Sequence, residues 1–188
     1  MNLAKKRQYI FGAHLNHARA PRMIPCWHAF GIDLKIVFVD APRRQNLKDI
    51  RLIATEINPH AARCAKMNGI EVIRTDLFKG LKPRHQETRF DLILFNPPYL
   101  PTSKEEKIPG WLNYAFDGGT SGRETLDRFL DEVRDYLKPG GKILVLISSI
   151  TGMEAVKEKM EKLGFVVEVV ARKKVSFEEL IVVRGKLR

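Results

Sequence analysis

The sequence predicts an α/β fold with a mostly parallel sheet and an antiparallel hairpin at its C-terminal end. From residue 51 onward, short apolar runs alternate with helical patterns, which is typical of βαβ units. Residues 90–95 (FDLILF) and 142–147 (KILVLI) are nearly continuous apolar runs, as strands buried on both faces of a sheet should be. The last two apolar runs, 165–171 and 180–184, have no helical pattern between them and therefore predict a hairpin at the sheet edge.

Proline and glycine mark the ends of the helix in the first predicted βαβ unit. Residues 51–56 (RLIATE) and 71–74 (EVIR) read as short strands. Pro59 can open the helix between them, because a proline in the first turn of a helix sacrifices no hydrogen bond. Gly69 predicts the end of that helix, since glycine adopts the left-handed conformation that commonly closes one.

Two further helices are predicted downstream. Ser121 and Glu124 have the spacing of a capping box, and apolar residues then recur at helical spacing as far as Leu137. Thr151 and Glu154 repeat the capping-box spacing before the last helical pattern. We therefore expect both helices to begin directly after the hydroxyl residue.

Length and charge indicate one domain with a basic surface. The 188 residues suffice for a single domain, and 33 Lys and Arg against 22 Asp and Glu give a net charge of +11. This balance suits either a polyanionic neighbour such as RNA or a surface that only keeps the protein soluble. No apolar run is long enough for a membrane span or follows the basic N-terminus as in a secretory signal, so a cytoplasmic protein is expected. The two cysteines match neither a disulfide framework nor a metal motif.

The beginning of the chain has a different character. Residues 1–34 form an irregular basic segment without periodicity, and the globular domain is predicted over 35–188. Within residues 1–50, nine Lys and Arg stand against three Asp and Glu, a net charge of +6. A short apolar run that ends at Asp40 is a candidate for the first strand.

The tetrapeptide Asn96-Pro97-Pro98-Tyr99 is the candidate catalytic motif. It follows the strand predicted over 90–95, and ligands of open α/β sheets bind beyond the carboxyl ends of the strands. The prolines stiffen the backbone, so that the Asn96 side-chain oxygen and the Pro97 carbonyl can converge on one NH2 group. Tyr99 can cover a planar substrate face. Such acceptors orient a poorly nucleophilic amide or aromatic amine and stabilise the positive charge that grows there during attack.

A simple turn is the alternative for Asn-Pro after a strand, but the full tetrapeptide favours the catalytic interpretation. The long loop that follows, residues 100–117, suits a lid or a substrate channel. We expect Trp111 and Tyr114 in this loop to anchor it to the core. His60 and His85 are expected to be surface residues.

Together, these motifs resemble those of the HemK/PrmC-like class I S-adenosylmethionine-dependent methyltransferases, most closely their archaeal and eukaryotic branch. The resemblance covers about residues 51–188. It rests on the tetrapeptide together with residues 115–119 (AFDGG), 122–124 (GRE), 137–141 (LKPGG), 171–174 (ARKK) and 177–180 (FEEL). It implies a Rossmann-like fold and S-adenosyl-L-methionine as the cofactor.

The resemblance also implies roles for individual residues. Asn96 would face both the cofactor and the substrate. Glu56 would accept hydrogen bonds from the ribose hydroxyls, and Asp76 from the adenine amino group. The Leu77 backbone N–H would meet a ring nitrogen.

Ile57 and Asn58 would flank the adenine and ribose.

The family's glycine-rich turn after the first strand is missing, because Asp40 is followed by Ala-Pro-Arg-Arg-Gln. Either Asp40 remains as a degenerate first motif, or residues 1 to about 50 are an out-of-frame or rearranged replacement.

The resemblance implies that the substrate is the glutamine of the Gly-Gly-Gln motif in class I translation release factors, with a small zinc-binding activator protein as partner. Two alternatives stay open. One is methylation of an adenine or guanine amino group in RNA or DNA, with the base flipped onto Tyr99. The other is an inactive remnant that acts only as a binding module, which the missing glycines favour.

Overall fold

One seven-stranded sheet forms the centre of the domain. The computed structural model describes residues 36–40, 51–81 and 89–188, and of 36–40 only the backbone. The irregular segment predicted over 1–34 and the connection 41–50 therefore lie outside the described residues. The strands are β1 (Ile36–Asp40), β2 (Arg51–Glu56), β3 (Glu71–Arg74), β4 (Phe90–Phe95), β5 (Leu137–Ser148), β6 (Phe165–Lys174) and β7 (Glu179–Leu187).

The described part of the chain contains four α-helices and three 3-10 turns. The helices are α1 (Pro59–Met67), α2 (Trp111–Phe116), α3 (Glu124–Val133) and α4 (Met153–Lys162). The 3-10 turns are Lys104–Glu106, Arg134–Tyr136 and Ser149–Thr151. None of the helices in the described ranges is both long and apolar enough to span a bilayer.

The order of strands across the sheet is β3-β2-β1-β4-β5-β7-β6. The pairs β2–β3 and β4–β5 are parallel, while β5–β7 and β6–β7 are antiparallel. Five strands consequently point the same way, and β1 and β7 run against them. The C-terminal hairpin is confirmed. The mostly parallel sheet holds for the direction of the strands, but four of the six described strand pairs are antiparallel. The reversed direction of β1 was not expected.

The first βαβ unit matches its prediction closely. β2 and β3 have the predicted bounds, and α1 begins at Pro59. The Asn58 side chain caps this helix by accepting a hydrogen bond from the His60 backbone N–H at 2.9 Å. Gly69 follows the end of the helix with φ of +80°.

Both predicted capping boxes are wrong. α3 begins at Glu124, whose carboxylate accepts from the Thr120 N–H at 3.0 Å, while the Ser121 hydroxyl accepts from the Arg123 N–H at 3.2 Å. These side chains thus close a turn before the helix instead of capping its first residues. α3 also ends earlier than predicted, and Leu137 already belongs to β5.

At α4, the Thr151 hydroxyl donates to the Ser148 carbonyl at 2.6 Å, within the preceding 3-10 turn. The N-cap of α4 is Gly152, which has φ of +79°. The second capping box therefore fails for the same reason as the first, because the hydroxyl serves a turn that precedes the helix.

The core joins α3 to the carboxyl end of β4. Phe129 is fully buried and stacks on Phe95 of β4 at 4.2 Å and on Phe78 at 5.4 Å between ring centroids. Burying a phenylalanine side chain stabilises the fold by roughly 2–3 kcal/mol, and offset aromatic pairs add to this. This packing fixes the turn after β3 against α3, which matters for the site described next.

Candidate active site

The carboxyl ends of β2, β3 and β4 meet at one edge of the sheet. A backbone hydrogen bond of 3.0 Å from the Thr75 N–H to the Glu56 carbonyl continues the pairing of β2 and β3 past their ends. On this edge, Asp76 lies two residues after the end of β3, and Asn96 directly follows β4. The edge is therefore the place where the sequence predicted ligand binding.

A cavity of about 600 Å³ opens at this edge, a size typical of small-molecule sites. Four of the residues predicted or implied to surround a nucleoside or to form the catalytic bracket belong to its wall. Ile57, Asp76, Leu77 and Pro98 line the cavity, whereas Glu56 does not. Further lining comes from the ends of the strands, the loop after the tetrapeptide and α3, at Thr55, Thr75, Phe95, Lys107, Ile108, Gly110, Asn113, Tyr114, Asp117, Gly119, Glu124, Thr125 and Arg128.

Glu56 and Asn58 are engaged in building the scaffold. The Glu56 side chain is 4% exposed, and its Oε1 accepts from the Asn58 backbone N–H at 2.7 Å. The Asn58 side chain caps α1. The carboxylate therefore fixes the turn after β2, and a role toward ribose hydroxyls stays a prediction.

Asp76 faces the cavity as a carboxylate. Partial burial alone would raise its pKa, but hydrogen bonds and positive charges from Lys79 and Arg128 outweigh this effect and hold the pKa below its ordinary value. Lys79 Nζ lies 2.9 Å and Arg128 Nη2 lies 2.5 Å from Asp76 Oδ2. The next residue, Leu77, is buried and has φ of +49°, a left-handed conformation that is costly for leucine.

The candidate catalytic tetrapeptide, residues 96–99, contributes to two cavities. Pro98 lines the large cavity, while Asn96, Pro97 and Tyr99 line a neighbouring one of about 100 Å³ together with Leu100, Ala115, Phe116 and Leu146. Both prolines are buried, and Asn96 and Tyr99 are half-buried. The motif is thus placed to receive a substrate group on one side and a larger ligand on the other.

A glycine-rich loop braces the tetrapeptide from behind. The Gly118 N–H donates to the Leu100 carbonyl at 2.9 Å, and the Thr102 N–H donates to the Gly119 carbonyl at 3.0 Å. Gly122 has φ of +71°, and a Cβ on it would lie 2.7 Å from the Tyr99 carbonyl oxygen. In the sequence, these glycines stood out only as members of the 115–119 and 122–124 motifs that carry the resemblance. Their close approach to the motif requires the tertiary structure.

Residues 104–116, here called the lid segment, cover one side of the large cavity. Asp117 holds this segment, because its carboxylate accepts from Asn113 Nδ2 at 2.8 Å and lies 3.3 Å from Lys107 Nζ. Asn113 Oδ1 in turn accepts from the Ile108 N–H at 3.2 Å. The lid segment is thus tied to the site by polar contacts.

The expectation that Trp111 and Tyr114 anchor this loop in the core is wrong. Their side chains are 36% and 56% exposed, and their rings contact each other at 5.3 Å between centroids. Asp117 takes the anchoring role that the aromatic residues were expected to have.

The structure does not bring Asp40 to the site. In the register of β1, Asp40 pairs with Arg51, where β2 begins, and Ile36 pairs with Thr55 and Phe95. Because β1 runs against its neighbours, its last residue lies at the opposite edge of the sheet from Asp76 and Asn96. The placement of Asp40 among the cofactor residues is corrected accordingly.

Sequence reasoning missed Arg128, Lys107 and Asp117 as residues of this edge. Arg128 stands 52 positions after Asp76, and no local pattern links the two. Asp117 belongs to the 115–119 stretch that contributed to the resemblance, but only the structure gives it contacts.

Comparison with known proteins shows that this fold is that of the class I methyltransferases. A search against family models found no match. The chain is 48% identical over 141 residues to a relative from Methanocaldococcus jannaschii that carries the provisional name protein N5-glutamine methyltransferase, covering 72% of this chain and 69% of the relative. It is 37% identical over 118 residues to the human methyltransferase HEMK2, covering 60% of this chain and 55% of the human protein.

Among solved structures, the chain is similar to the Encephalitozoon (E. cuniculi) Mtq2–Trm112 complex, which is responsible for methylation of the eRF1 translation termination factor. The TM-score is 0.53 at 26% identity, over 71% of this chain and 70% of that one. The chain belongs to the protein N5-glutamine methyltransferase family. It spans 69% of the archaeal relative and 55% of the human relative.

Proposed function

We propose that this chain transfers a methyl group from S-adenosyl-L-methionine to the side-chain amide nitrogen of a glutamine in a class I translation release factor. Family membership supports the reaction class. The names of relatives support the substrate, because a 30% identical protein from Clostridium acetobutylicum is called release factor glutamine methyltransferase and a 31% identical one from Schizosaccharomyces pombe is called the catalytic subunit of an eRF1 methyltransferase.

The observation that carries the proposal is the position of the tetrapeptide between the two cavities. A glutamine amide is a poor nucleophile, since its nitrogen lone pair is delocalised into the carbonyl. Asn96 Oδ1 and the Pro97 carbonyl would accept the two N–H groups, orient the nitrogen and stabilise the positive charge that develops on it. Tyr99 would cover the planar amide.

The large cavity has the shape and chemistry for the nucleoside part of the cofactor. Ile57, Leu77 and Phe95 supply apolar walls, and Asp76 supplies an acceptor for an exocyclic amine. When bound, S-adenosyl-L-methionine supplies the methyl group as a reactive sulfonium. The residues named here would bind and orient it, while Pro98 separates the nucleoside cavity from the amide side.

A small partner protein is part of the proposal. The related Mtq2 was solved in complex with Trm112, and we propose that this chain also works with a small partner protein, a zinc-binding activator. Methyl transfer is therefore to be measured with and without such a protein.

The test measures transfer of radiolabelled methyl groups from S-adenosyl-L-methionine to a purified class I release factor. We expect labelling of the native factor and none of a factor in which the Gly-Gly-Gln glutamine is replaced by alanine. Asn96→Ala should reduce the rate by about 100-fold or more, the usual loss for one oriented polar group. Glu161→Gln, on the exposed face of α4, is the matched control and should leave the rate unchanged.

Labelling of RNA or DNA in place of the release factor would assign the chain to base methylation. The strongly basic composition of the chain is the observation that favours this alternative.

A second candidate function, a module that binds a partner without transferring methyl groups, is favoured by the direction of β1. With β1 reversed, Asp40 lies at the wrong edge to contact the cofactor. This candidate predicts no saturable binding of S-adenosyl-L-methionine by calorimetry, whereas the transferase requires it.

A further inference from the structure

The Asp76 carboxylate is held by one of its two oxygens. Lys79 Nζ at 2.9 Å and Arg128 Nη2 at 2.5 Å both donate to Oδ2. Among the described residues, the hydrogen bonds of this carboxylate go to Oδ2, and Asp76 lines the large cavity. Oδ1 is therefore the oxygen that remains to meet a ligand.

We propose that Arg128 is a positioning residue that selects the base of the bound nucleoside. By fixing Oδ2, it keeps Oδ1 of Asp76 presented to an exocyclic amino group on a purine. This inference rests on the proposed function, which makes that purine the adenine of the cofactor. It deepens the proposal, because it assigns base selectivity to a residue on a different element.

Arg128 is better suited to this role than Lys79. It projects from α3, whose residues Leu126, Phe129 and Leu130 are buried, so its starting point is fixed by the core. The Phe129 ring stacks on Phe78, two residues after Asp76, so the packing that forms the core also sets the distance between Arg128 and Asp76.

Lys79, in contrast, lies three residues after Asp76 in the same turn, and its side chain is 68% exposed. Arginine also holds a carboxylate through a planar, rigid group, whereas the lysine ammonium is a mobile point charge. Arg128 itself lines the cavity, which Lys79 does not.

Two purine bases that carry an amino group and an oxo group at the same ring position can distinguish this role from a general contribution of Arg128 to stability. The adenine amine donates a hydrogen bond to Oδ1. In the deaminated base, hypoxanthine, an oxygen acceptor would face the carboxylate and be repelled. A well-oriented carboxylate therefore discriminates between the two bases, and a loosely held one discriminates less.

The experiment measures, by calorimetry, the affinities of S-adenosylhomocysteine and S-inosylhomocysteine for the full chain. We expect the native protein to prefer the adenosyl compound. Arg128→Ala should weaken the binding of S-adenosylhomocysteine about tenfold, as expected for the loss of one charge-assisted hydrogen bond. It should change the binding of S-inosylhomocysteine by less than about threefold. Arg128→Lys should restore part of the preference.

Lys79→Ala is the matched control, because it removes the same charge from the same oxygen. It should change the preference by less than about twofold. Equal weakening of both compounds by Arg128→Ala, or an equal effect of Lys79→Ala, would overturn the inference, since either result assigns the effect to charge or folding alone. Circular dichroism and thermal unfolding confirm that each variant is folded.

Failure of the proposed function has a separate signature. If the native chain binds neither compound, both the cofactor assignment and the inference are wrong. If the native chain binds and discriminates but Arg128→Ala retains the full preference, the cofactor assignment stands and only the positioning role fails.

Discussion

Replacement of Asp117 by asparagine should release the lid segment without unfolding the domain. The Asp117 side chain is 11% exposed. Its Oδ1 accepts from the Gly119 N–H at 2.9 Å, and its Oδ2 accepts from Asn113 Nδ2 at 2.8 Å and lies 3.3 Å from Lys107 Nζ. Asparagine can keep the Gly119 bond through its own oxygen. Its NH2 group, however, would face the Asn113 NH2 group and the Lys107 ammonium. All three are hydrogen-bond donors, so the contacts made by Oδ2 would be lost.

The expected loss follows from these contacts. A hydrogen bond to a buried, charged acceptor contributes about 1.5–3 kcal/mol, which applies to the Asn113 bond. The Lys107 side chain is 53% exposed, so its ion pair with Asp117 adds at most about 1 kcal/mol. We therefore expect Asp117→Asn to lower the opening free energy of the lid segment by about 1.5–4 kcal/mol.

Native-state hydrogen exchange is the appropriate assay, because it separates local opening from global unfolding. The Asp117 amide, which donates to the Asn113 carbonyl at 2.9 Å, should lose protection by this amount. Amides of the buried strand β5, such as Ile143 and Val145, should keep theirs. Glu161→Gln serves as the control. Equal loss in β5 and in the lid segment, or no loss in either, would refute the assignment of Asp117 as the anchor of the lid.

The same anchor should depend on pH. Partial burial opposes ionisation of Asp117, but hydrogen bonds from Gly119 and Asn113 and the charge of Lys107 outweigh it and lower the pKa below the ordinary 3.8. A lowered pKa in the folded state means that the contribution is fully present above pH about 4 and is lost as pH falls through the folded-state value. Lid protection in the native chain should fall in that acidic window, while the Asp117→Asn variant should lack this step.

Four substitutions, one of them a control, test the remaining parts of the site. Gly122→Ala should lower the free energy of unfolding in urea by about 2–4 kcal/mol, because the new Cβ would lie 2.7 Å from the Tyr99 carbonyl oxygen. Gly140→Ala should cost only about 1 kcal/mol, since it shares a positive φ but has open space around it; equal losses would contradict the bracing role. Phe129→Ala should lower thermal stability by about 3–5 kcal/mol through the cavity left between two stacked rings, and a loss below about 1 kcal/mol would argue against that packing. Asn96→Ala should lower the rate of methyl transfer much more than the affinity for S-adenosylhomocysteine, and equal losses in both would leave Asn96 with a cofactor-binding role only.

Local sequence determined the elements whose signals are local. The bounds of β2, β3 and β4 and the start of α1 at Pro59 followed from apolar runs and from proline and glycine, because the conformations of these residues depend mainly on their neighbours. For the same reason, the sequence predicted the position of the tetrapeptide directly after β4, where its residues line two cavities.

The two capping boxes show where local rules fail. Ser121 and Glu124 have the right spacing, but left-handed glycines at 119 and 122 permit a turn that uses both side chains before α3 begins. A hydroxyl has several backbone partners within reach, and the conformation of the adjoining glycines selects among them.

The sequence by itself determined the type of fold and the order of most elements, and it put the candidate catalytic tetrapeptide directly after β4. Only the tertiary structure decided the direction of β1, and with it the exclusion of Asp40, because an apolar strand alternates its side chains identically in either direction. The Arg128–Asp76 pair and the Asp117 anchor were likewise decided by packing. These contacts join separate elements, and no periodicity along the chain encodes which distant residue will arrive beside a given carboxylate.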